Sequence, residues 1–341
     1  MPTDDLRIAK VHSLVPPAVL HEELPATDAV QRFVADARDQ AAKVLFANDP
    51  RLLVVVGPCS VHDPLALVDY AERLKPIADE VASRLVLVLR VYFEKPRTVV
   101  GWKGLINDPD LDGSHRINTG LRRAREVLLK VANIGLPAGT EFLDATFGQY
   151  FTDLITWGAI GARTVESQIH RQLASALSMP VGIKNRTDGD VKVAVDAIRA
   201  ARHPHLFPTI NKQGTAAIME TTGNDQCHLV LRGGDKPNYD HDHVTDAIRQ
   251  LSGAGMPETI MVDCSHANSS KKPENQPEVA FDVINQRREG TDALRGLMIE
   301  SHIESGRQDI GSELIYGKSI TDACLGFDDT RRLLLDLAGK I

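Results

Sequence analysis

Cationic and metal-ligating side chains recur in this chain where short apolar, strand-like runs end. The cations in these places are Arg90, Lys95, Arg97, Arg163, Lys184 and Arg232. Other runs end near a thiol at Cys59, an imidazole at His266 and a carboxylate at Glu300. In a β/α barrel the C-terminal ends of all strands meet around one mouth. The pattern therefore predicts a metal site beside anion pockets, in an enzyme that acts on phosphorylated and carboxylated metabolites.

Four residues are candidate metal ligands. They are Cys59, His266, Glu300 and, after the last predicted strand, Asp322. Thiolate, imidazole and two carboxylates suit one divalent ion such as Mn, Fe, Co or Zn. A lone cysteine at a strand end is more often a small buried apolar residue. The joint placement of the four residues favours the metal site over that alternative.

The cations predict a ligand with more than one anionic group. Arg90 follows aliphatic residues and precedes Val91-Tyr92-Phe93, an unusual setting for a solvated surface side chain. Arginine forks match phosphate and carboxylate in a bidentate manner, whereas lysine supplies a mobile point charge. The structural alternative is that these cations pair with Glu141 or Asp144 around the third predicted strand.

The elements that must position these residues alternate between strands and helices from residue 52 onward. The predicted strands are 52–58, 85–93, 138–143, 159–163, 180–184, 227–232, 259–264 and 296–300. Runs that are apolar on both faces suit a parallel sheet covered on two sides. Between the first two, Asp63 before Pro64 predicts the start of a helix over 64–80. Eight such units predict an α/β fold, a (β/α)8 TIM barrel. A doubly wound open sheet is the competitor, but no G-x-G-x-x-G follows the first strand.

Two segments are surplus to eight strand–helix units. Residues 1–47, with helical periodicity over 28–46, are predicted to form an N-terminal regulatory or oligomerisation extension. Residues 205–223 resemble two short strands around a turn near Lys212–Gly214, which predicts an inserted β-hairpin. The catalytic barrel is then predicted to span 48–341.

Composition and charge narrow the function further. The 341 residues carry 39 Lys and Arg against 46 Asp and Glu, a net charge of −7, so no basic field for nucleic acid or membrane is expected. The N-terminus lacks the order of a signal peptide, and no run of about 18 apolar residues predicts a membrane span. The 4 cysteines have no paired spacing, which favours reduced thiols and a cytoplasmic location.

The same residues lie in long motifs that resemble a known enzyme family. The motifs are GPCSVHDP (57–64), RVYFEKPRTVVGWKGLINDPDLDGS (90–114), WGAIGART-ESQ (157–168), LRGGDKPNY (231–239), DCSHANSSK (263–271) and YGKSITDACLG (316–326). They resemble the feedback-regulated type I 3-deoxy-D-arabino-heptulosonate 7-phosphate (DAHP) synthases over almost the whole chain. The resemblance implies a (β/α)8 barrel with an N-terminal extension and an inserted hairpin. It also implies the first step of the shikimate pathway, in which phosphoenolpyruvate, erythrose 4-phosphate and water give DAHP and phosphate.

Position by position, the resemblance assigns roles to the candidate residues. It makes Cys59, His266, Glu300 and Asp322 the ligands of one divalent metal ion, with Lys95, Cys59 and His266 as the catalytic set. It implies a phosphoenolpyruvate site formed by Arg90, Lys95, Arg163, Lys184 and Arg232, with Glu141 at its edge. Arg97 and Thr98 match the site for the phosphate of erythrose 4-phosphate. One departure is Arg186, which stands where the family usually has the glycine of K-N-G-T-D-G.

The resemblance further implies inhibition by an aromatic amino acid that binds away from the barrel mouth, against the N-terminal arm of a partner subunit. The matching positions are Asp5, Leu6, Gln149, Leu173, Leu177, Ser178, Phe207 and Thr209. The arm TDDLRIAKVHSLVPP and the pair Gly148-Gln149 favour tryptophan, while Ala145 and Phe147 depart from that pattern. Tyrosine and phenylalanine stay open, as does the choice between a homodimer and a homotetramer.

Two other functions compete with this interpretation. The sister synthase that uses arabinose 5-phosphate shares the barrel but usually lacks KPRTxxGWKG and the regulatory arm, both of which are present here. A non-catalytic barrel that only senses an aromatic amino acid is the alternative of a different class. The presence of every proposed ligand and cation argues against it.

Overall fold

A closed barrel of parallel strands is the centre of the computed structural model, which describes residues 3–97, 99–311 and 313–341. The strands described are β1 (Leu52–Gly57), β2 (Leu85–Arg90), β3 (Ala138–Glu141), β4 (Trp157–Ile160), β5 (Val181–Lys184), β6 (Leu206–Ile210), β7 (Ala216–Glu220), β8 (Cys227–Leu231), β9 (Ile260–Asp263) and β10 (Leu294–Glu300). All but β6 and β7 form the barrel, in the order β1-β10-β9-β8-β5-β4-β3-β2. Each predicted strand overlaps one of these eight, so the predicted (β/α)8 fold is confirmed.

The helices cover the outside of the barrel. Those described are α1 (Pro17–Glu23), α2 (Asp28–Phe46), α3 (Pro64–Val81), α4 (Ile117–Ile134), α5 (Gly148–Phe151), α6 (Gln168–Ala176), α7 (Lys192–Ala201), α8 (His241–Gly253), α9 (Gln276–Arg288) and α10 (Phe327–Lys340). The start of α3 shows how the sequence specifies such an element. Asp63 accepts hydrogen bonds from the backbone N–H groups of Leu65 and Ala66, and Pro64 occupies the first helical position.

The barrel strands alternate between an inner and an outer face. In β1, Leu53 and Val55 belong to the apolar cluster inside the barrel, whereas Val54 and Val56 pack in the layer between strands and helices. The C-terminal turns of α2 close the lower end of the barrel, where Val44 and Leu45 join the inner cluster. Because that end is filled with apolar side chains, the polar cavity lies at the opposite, C-terminal end.

The two surplus segments form elements outside the barrel. Helices α1 and α2 precede the first strand, and β6 and β7 form an antiparallel hairpin between α7 and β8. The hairpin turn contacts α1, since the backbone N–H of Ala18 donates to the carbonyl of Lys212 over 2.6 Å. The division at residue 47 and the regulatory or oligomerising role of these pieces stay predictions.

Two further expectations concern thiols and membranes. All 4 cysteines, Cys59, Cys227, Cys264 and Cys324, are buried and free. Within the residues that the structure describes, none of the helices has the length and apolar character needed to span a membrane.

Candidate active site and metal centre

A cavity of about 610 Å³ opens at the C-terminal end of the barrel. Its wall includes most of the predicted site residues, namely Arg90, Lys95, Arg97, Glu141, Arg163, Lys184, Arg232, His266, Glu300 and Asp322. Cys59 is fully buried next to it, in hydrogen-bond range of Lys95 and Asp322. Thr98 lies outside the described residues. The structure therefore brings together residues that are spread over most of the chain.

Strand geometry explains why these side chains converge. Arg90, Asp263 and Glu300 are the last residues of their strands, and each lies two residues beyond an inner residue, Val88, Met261 and Met298, so its side chain points to the same side. Cys59, Arg163 and Arg232 follow the C-terminal ends of β1, β4 and β8, at the same end of the barrel. The pairing of β1 with β10 sets Gly57 opposite Glu300, close to Cys59. Closure of the barrel thus brings residues at the ends of the first and the last strand into one cavity.

Three of the four predicted metal ligands form a compact cluster. Ligand atoms of Cys59, Glu300 and Asp322 lie within 4.8 Å of one another, and Cys59 Sγ is 3.6 Å from Asp322 Oδ2. The fourth, His266, places Nε2 3.9 Å from Glu300 Oε1. Burial, followed by the charge of Glu300, raises the pKa of the Cys59 thiol to about 11. Acidic groups so close together are mutually repulsive, and a divalent cation with thiolate, imidazole and carboxylate ligands would relieve that repulsion. The donor set fits such an ion.

Arg90 and Gln276 fix the position of Glu300. Arg90 Nη2 donates to Glu300 Oε1 over 2.8 Å, and both side chains are only 1% exposed. Arg90 also donates to the carbonyls of Pro58 and Cys59, and its guanidinium lies 3.5 Å from the centre of the Tyr92 ring. The Gln276 amide bonds both the N–H and the carbonyl of Glu300 at 2.9 Å.

The other cations surround the remaining space. Lys95 Nζ lies 3.0 Å from Cys59 Sγ. Burial by itself would lower the pKa of the Lys95 ammonium, but the nearby Cys59 and Glu300 outweigh it and raise the pKa. Lys184 Nζ donates to Asp263 Oδ2 over 2.7 Å. The alternative pairing of these cations with Glu141 or Asp144 is absent among the ion pairs of residues 3–97, 99–311 and 313–341.

Residues at the cavity rim are more exposed. Arg97 donates through Nε to the carbonyl of Trp102 over 2.8 Å. Arg186, which precedes the cavity-lining Thr187 and matches the glycine of the K-N-G-T-D-G motif in the resemblance, pairs with Glu166 at 2.9 Å and with Asp188. It is not among the residues with positive φ in the described chain, so its turn does not need glycine.

Sequence reasoning missed several residues of the cavity and its support. They are Asp263, Ser265, Lys271, Gln276 and Arg307. Asp263 could have been found, because it lies in a predicted strand on the same face as the inner residue Met261. Gln276 could not, since nothing in a helix-opening glutamine indicates that it will bond a strand backbone 24 residues away.

Six of the eight predicted effector positions lie in α5, in α6 and the two residues that follow it, and in β6 of the hairpin; they are Gln149, Leu173, Leu177, Ser178, Phe207 and Thr209. Gln149 is in α5, with its amide 3.8 Å from the sulfur of Met219 on β7, and Thr209 Oγ1 donates to the carbonyl of Ala145 at 3.5 Å. The apolar members are buried, at Leu173, Leu177 and Phe207, whereas Ser178 is exposed. In the arm, Leu6 is 68% exposed and Asp5 hydrogen-bonds its neighbours Asp4 and Ile8.

Fold and cavity together define an α/β-barrel protein with a candidate metal centre beside a cavity lined by cations. Comparison with known proteins identifies it further. The chain belongs to the DAHP synthetase I family, whose sequence model matches residues 30–335. This places the motifs around Cys59, Arg90, His266 and Asp322 within the matched segment.

Named relatives and a solved structure agree with this assignment. The chain is 54% identical to the Phe-sensitive phospho-2-dehydro-3-deoxyheptonate aldolase of Escherichia coli K12, over 99% of this chain and 97% of the relative. It is 52% identical to the Trp-sensitive enzyme of Escherichia coli O157:H7, over 99% and 98%. The structure of the aldolase of that name from Francisella tularensis SCHU S4 superposes with a TM-score of 0.96 at 48% identity, covering 98% of both chains.

Proposed function

We propose that this protein is a DAHP synthase, a transferase that condenses phosphoenolpyruvate with erythrose 4-phosphate and water to give DAHP and phosphate. This is the first step of aromatic amino acid biosynthesis through the shikimate pathway. The observation that carries the proposal is the barrel-mouth cavity in which the Cys59–Glu300–Asp322 cluster lies against several cations. Membership of the DAHP synthetase I family supports the same reaction.

Phosphoenolpyruvate has the charge pattern that this cavity can neutralise. It carries a carboxylate and a phosphate, and the cavity offers the cations of Arg90, Lys95, Arg163, Lys184 and Arg232. Arginine forks suit bidentate contact with both kinds of oxyanion, and lysines add point charges. Because Arg90 is already held by Glu300, Cys59 and Tyr92, it is a fixed part of the pocket, which reduces the entropy lost on binding.

A divalent ion such as Mn, Fe, Co or Zn would be held by Cys59, His266, Glu300 and Asp322, and it would supply Lewis acidity at the aldehyde oxygen of erythrose 4-phosphate. Side chains of the protein are proposed to bind the second substrate and to transfer the proton. Arg97, at the rim of the cavity, and Thr98 are proposed to hold the phosphate of the aldehyde substrate. Lys95, charged and 3.0 Å from Cys59 Sγ, is proposed to deliver the proton that the developing alkoxide needs.

The order of bond changes follows from the two substrates. The enol carbon of phosphoenolpyruvate attacks the aldehyde carbon of erythrose 4-phosphate, which forms the new C–C bond. Water then adds to the cationic carbon that bears the phosphate and gives up one proton, which balances the proton taken up by the alkoxide. The C–O bond to the phosphate breaks, the added hydroxyl loses its proton as this carbon becomes the carbonyl of DAHP, and inorganic phosphate leaves with that proton. The cavity cations stabilise the phosphate as its negative charge grows during departure.

Regulation and location complete the proposal. An aromatic amino acid is proposed to bind between the hairpin, α5, α6 and the arm of a partner subunit in a homodimer or homotetramer. The exposed arm, with Leu6 68% accessible within one chain, supports a contact made between subunits. Tryptophan is favoured by the arm sequence and by Gly148-Gln149, and a cytoplasmic location is proposed.

Consumption of phosphoenolpyruvate with erythrose 4-phosphate, followed by ultraviolet absorbance, tests the reaction directly. Activity should vanish with a chelator and return with Mn²⁺. Arabinose 5-phosphate in place of erythrose 4-phosphate tests the sister reaction. Activity with the five-carbon sugar alone would refute the proposal, and no turnover with either sugar, combined with binding of an aromatic amino acid, would indicate the sensor barrel.

A further inference from the structure

Asp263, the last residue of β9, contacts both Lys184, a predicted phosphoenolpyruvate-binding residue, and His266, a predicted metal ligand. Its side chain is 0% exposed. Oδ2 accepts from Lys184 Nζ at 2.7 Å and lies 2.9 Å from His266 Nδ1, while Oδ1 accepts from Ser265 Oγ at 2.6 Å and from the Ser265 N–H at 3.0 Å. A buried carboxylate with this many partners has a fixed position. It therefore also fixes the groups that contact it.

Hydrogen-bond accounting assigns the state of the His266 ring. Ser265 Oγ has one hydrogen, which it donates to Asp263 Oδ1. The contact of 2.7 Å between Ser265 Oγ and His266 Nδ1 must then have the imidazole as donor, as must the contact with Asp263 Oδ2. Nδ1 consequently carries a hydrogen, so in the neutral ring Nε2 is the nitrogen that has the lone pair. That lone pair is on the nitrogen that lies 3.9 Å from Glu300 Oε1, at the candidate metal cluster.

We propose that Asp263 is a positioning residue, which holds His266 in the tautomer and orientation that leave Nε2 free to ligate the metal. This inference rests on the proposed function, because it concerns the same metal centre. The backbone around His266 supports it. His266 has φ of +54°, a conformation that non-glycine residues seldom adopt, so its orientation is held by contacts rather than by local preference.

Removal of the carboxylate has to be tested without leaving the Lys184 ammonium unpaired, whereas in Lys184→Met the carboxylate keeps its contacts with Ser265 and His266. Asp263→Asn by itself leaves the Lys184 ammonium, 5% exposed, beside a neutral amide, which threatens the fold. The informative comparison is between Lys184→Met and the double variant Asp263→Asn/Lys184→Met. Both lack the ammonium, and they differ only in the carboxylate that His266 contacts. Asp153→Asn is the control, because it breaks another ion pair to a buried cation, Arg125, which does not line the cavity and keeps its hydrogen bonds to the carbonyls of Leu24 and Tyr150.

Mn²⁺ binding to the metal-free proteins, measured by titration calorimetry without substrates, is the primary readout. The dissociation constant should rise about 10- to 100-fold from Lys184→Met to the double variant, the usual effect of losing the partner of a ligating histidine. The control should bind Mn²⁺ like the unaltered protein. Phosphoenolpyruvate binding to the metal-free proteins should change less than about threefold between the two variants, since the remaining cations are untouched.

Three results would overturn the assignment. Equal Mn²⁺ affinity of the two variants removes the role of Asp263. An equal loss of Mn²⁺ and phosphoenolpyruvate affinity shows that Asp263 merely maintains the barrel mouth. Absence of Mn²⁺ binding by the unaltered protein overturns both this inference and the proposed metal centre. A different result would refute the proposed reaction and leave the role of Asp263 intact. In that case the Mn²⁺ dissociation constants of the variants would change as expected, but the unaltered protein would form no DAHP from the two substrates.

Discussion

Glu94 provides a stability prediction whose size can be worked out from the structure. The side chain is 6% exposed, and its Oε2 accepts a long hydrogen bond, 3.4 Å, from the N–H of Asp144. Burial first, and then the negative charge of Asp144, raises the pKa of the Glu94 carboxyl from 4.5 to about 8, with a smaller contribution from Glu141. The folded protein therefore keeps Glu94 protonated at pH 7, whereas the unfolded chain ionises it.

The sign of the pH dependence follows from proton counting. Between pH 4.5 and 8 the unfolded state binds fewer protons at this residue than the folded state, so the free energy of unfolding falls as pH rises. With pKa values of 4.5 and about 8, the destabilisation grows from ~1 kcal/mol at pH 5 to ~5 kcal/mol at pH 9. Glu94→Gln is neutral in both states and lacks this dependence. From pH 5 to pH 9, the free energy of unfolding of the variant relative to that of the parent protein should rise by at most about 4 kcal/mol.

Denaturant unfolding at pH 5, 7 and 9, at one protein concentration and followed by circular dichroism, measures the difference between parent and variant. Glu126→Gln is the control, because Glu126 lies on the exposed face of α4 and its replacement should stay within about 0.5 kcal/mol at every pH. If the difference between the parent and Glu94→Gln is the same at pH 5 and pH 9 within about 1 kcal/mol, the reasoning about the buried carboxyl is wrong.

The remaining predictions concern the site and its regulation. Lys95→Met should lower kcat at least about 100-fold with an unchanged circular dichroism spectrum, and near-normal turnover would remove its proton-handling role. Cys59→Ser should weaken Mn²⁺ binding in calorimetry by about 10-fold or more, and unchanged affinity would show that the thiol is no ligand. Arg186→Gly loses only exposed ion pairs, so the Tm and the affinity for phosphoenolpyruvate should stay nearly constant; a large change in either contradicts this account. Deletion of residues 1–15 should abolish inhibition by tryptophan, phenylalanine and tyrosine in the enzymatic assay, and retained sensitivity would argue against an arm-mediated effector site.

Much of the fold could be predicted because its signals are local. The apolar run of β1, the Asp63 cap of α3 and the inserted hairpin are each encoded within a few neighbouring residues. Whether the arm and the hairpin regulate the enzyme depends on other subunits and stays a prediction. The site residues were predictable in type because burying a charge at the end of a core strand is costly, so charges in these positions indicate a shared polar site at the barrel mouth.

The partners of those residues could not be predicted. The sequence offered Glu141 or Asp144 as partners only in the alternative interpretation, in which the cations form structural ion pairs. In the structure Arg90 bonds Glu300 across 210 positions and Lys184 bonds Asp263 across 79. Gln276 was missed for the same reason, since its amide contacts are with the backbone of β10. Such pairs depend on the order and register of the strands, which cannot be derived from a single sequence.

The amino-acid sequence by itself determined which elements form, which of their ends carry charge, and the family to which the chain belongs. The tertiary structure alone decided that Cys59 and Asp322, 263 positions apart, lie 3.6 Å from each other, and that one buried carboxylate joins His266 to Lys184. The physical reason is barrel closure. Pairing of the first strand with the last fixes the register of all inner side chains, and burial then requires each charge in the mouth to find a partner there.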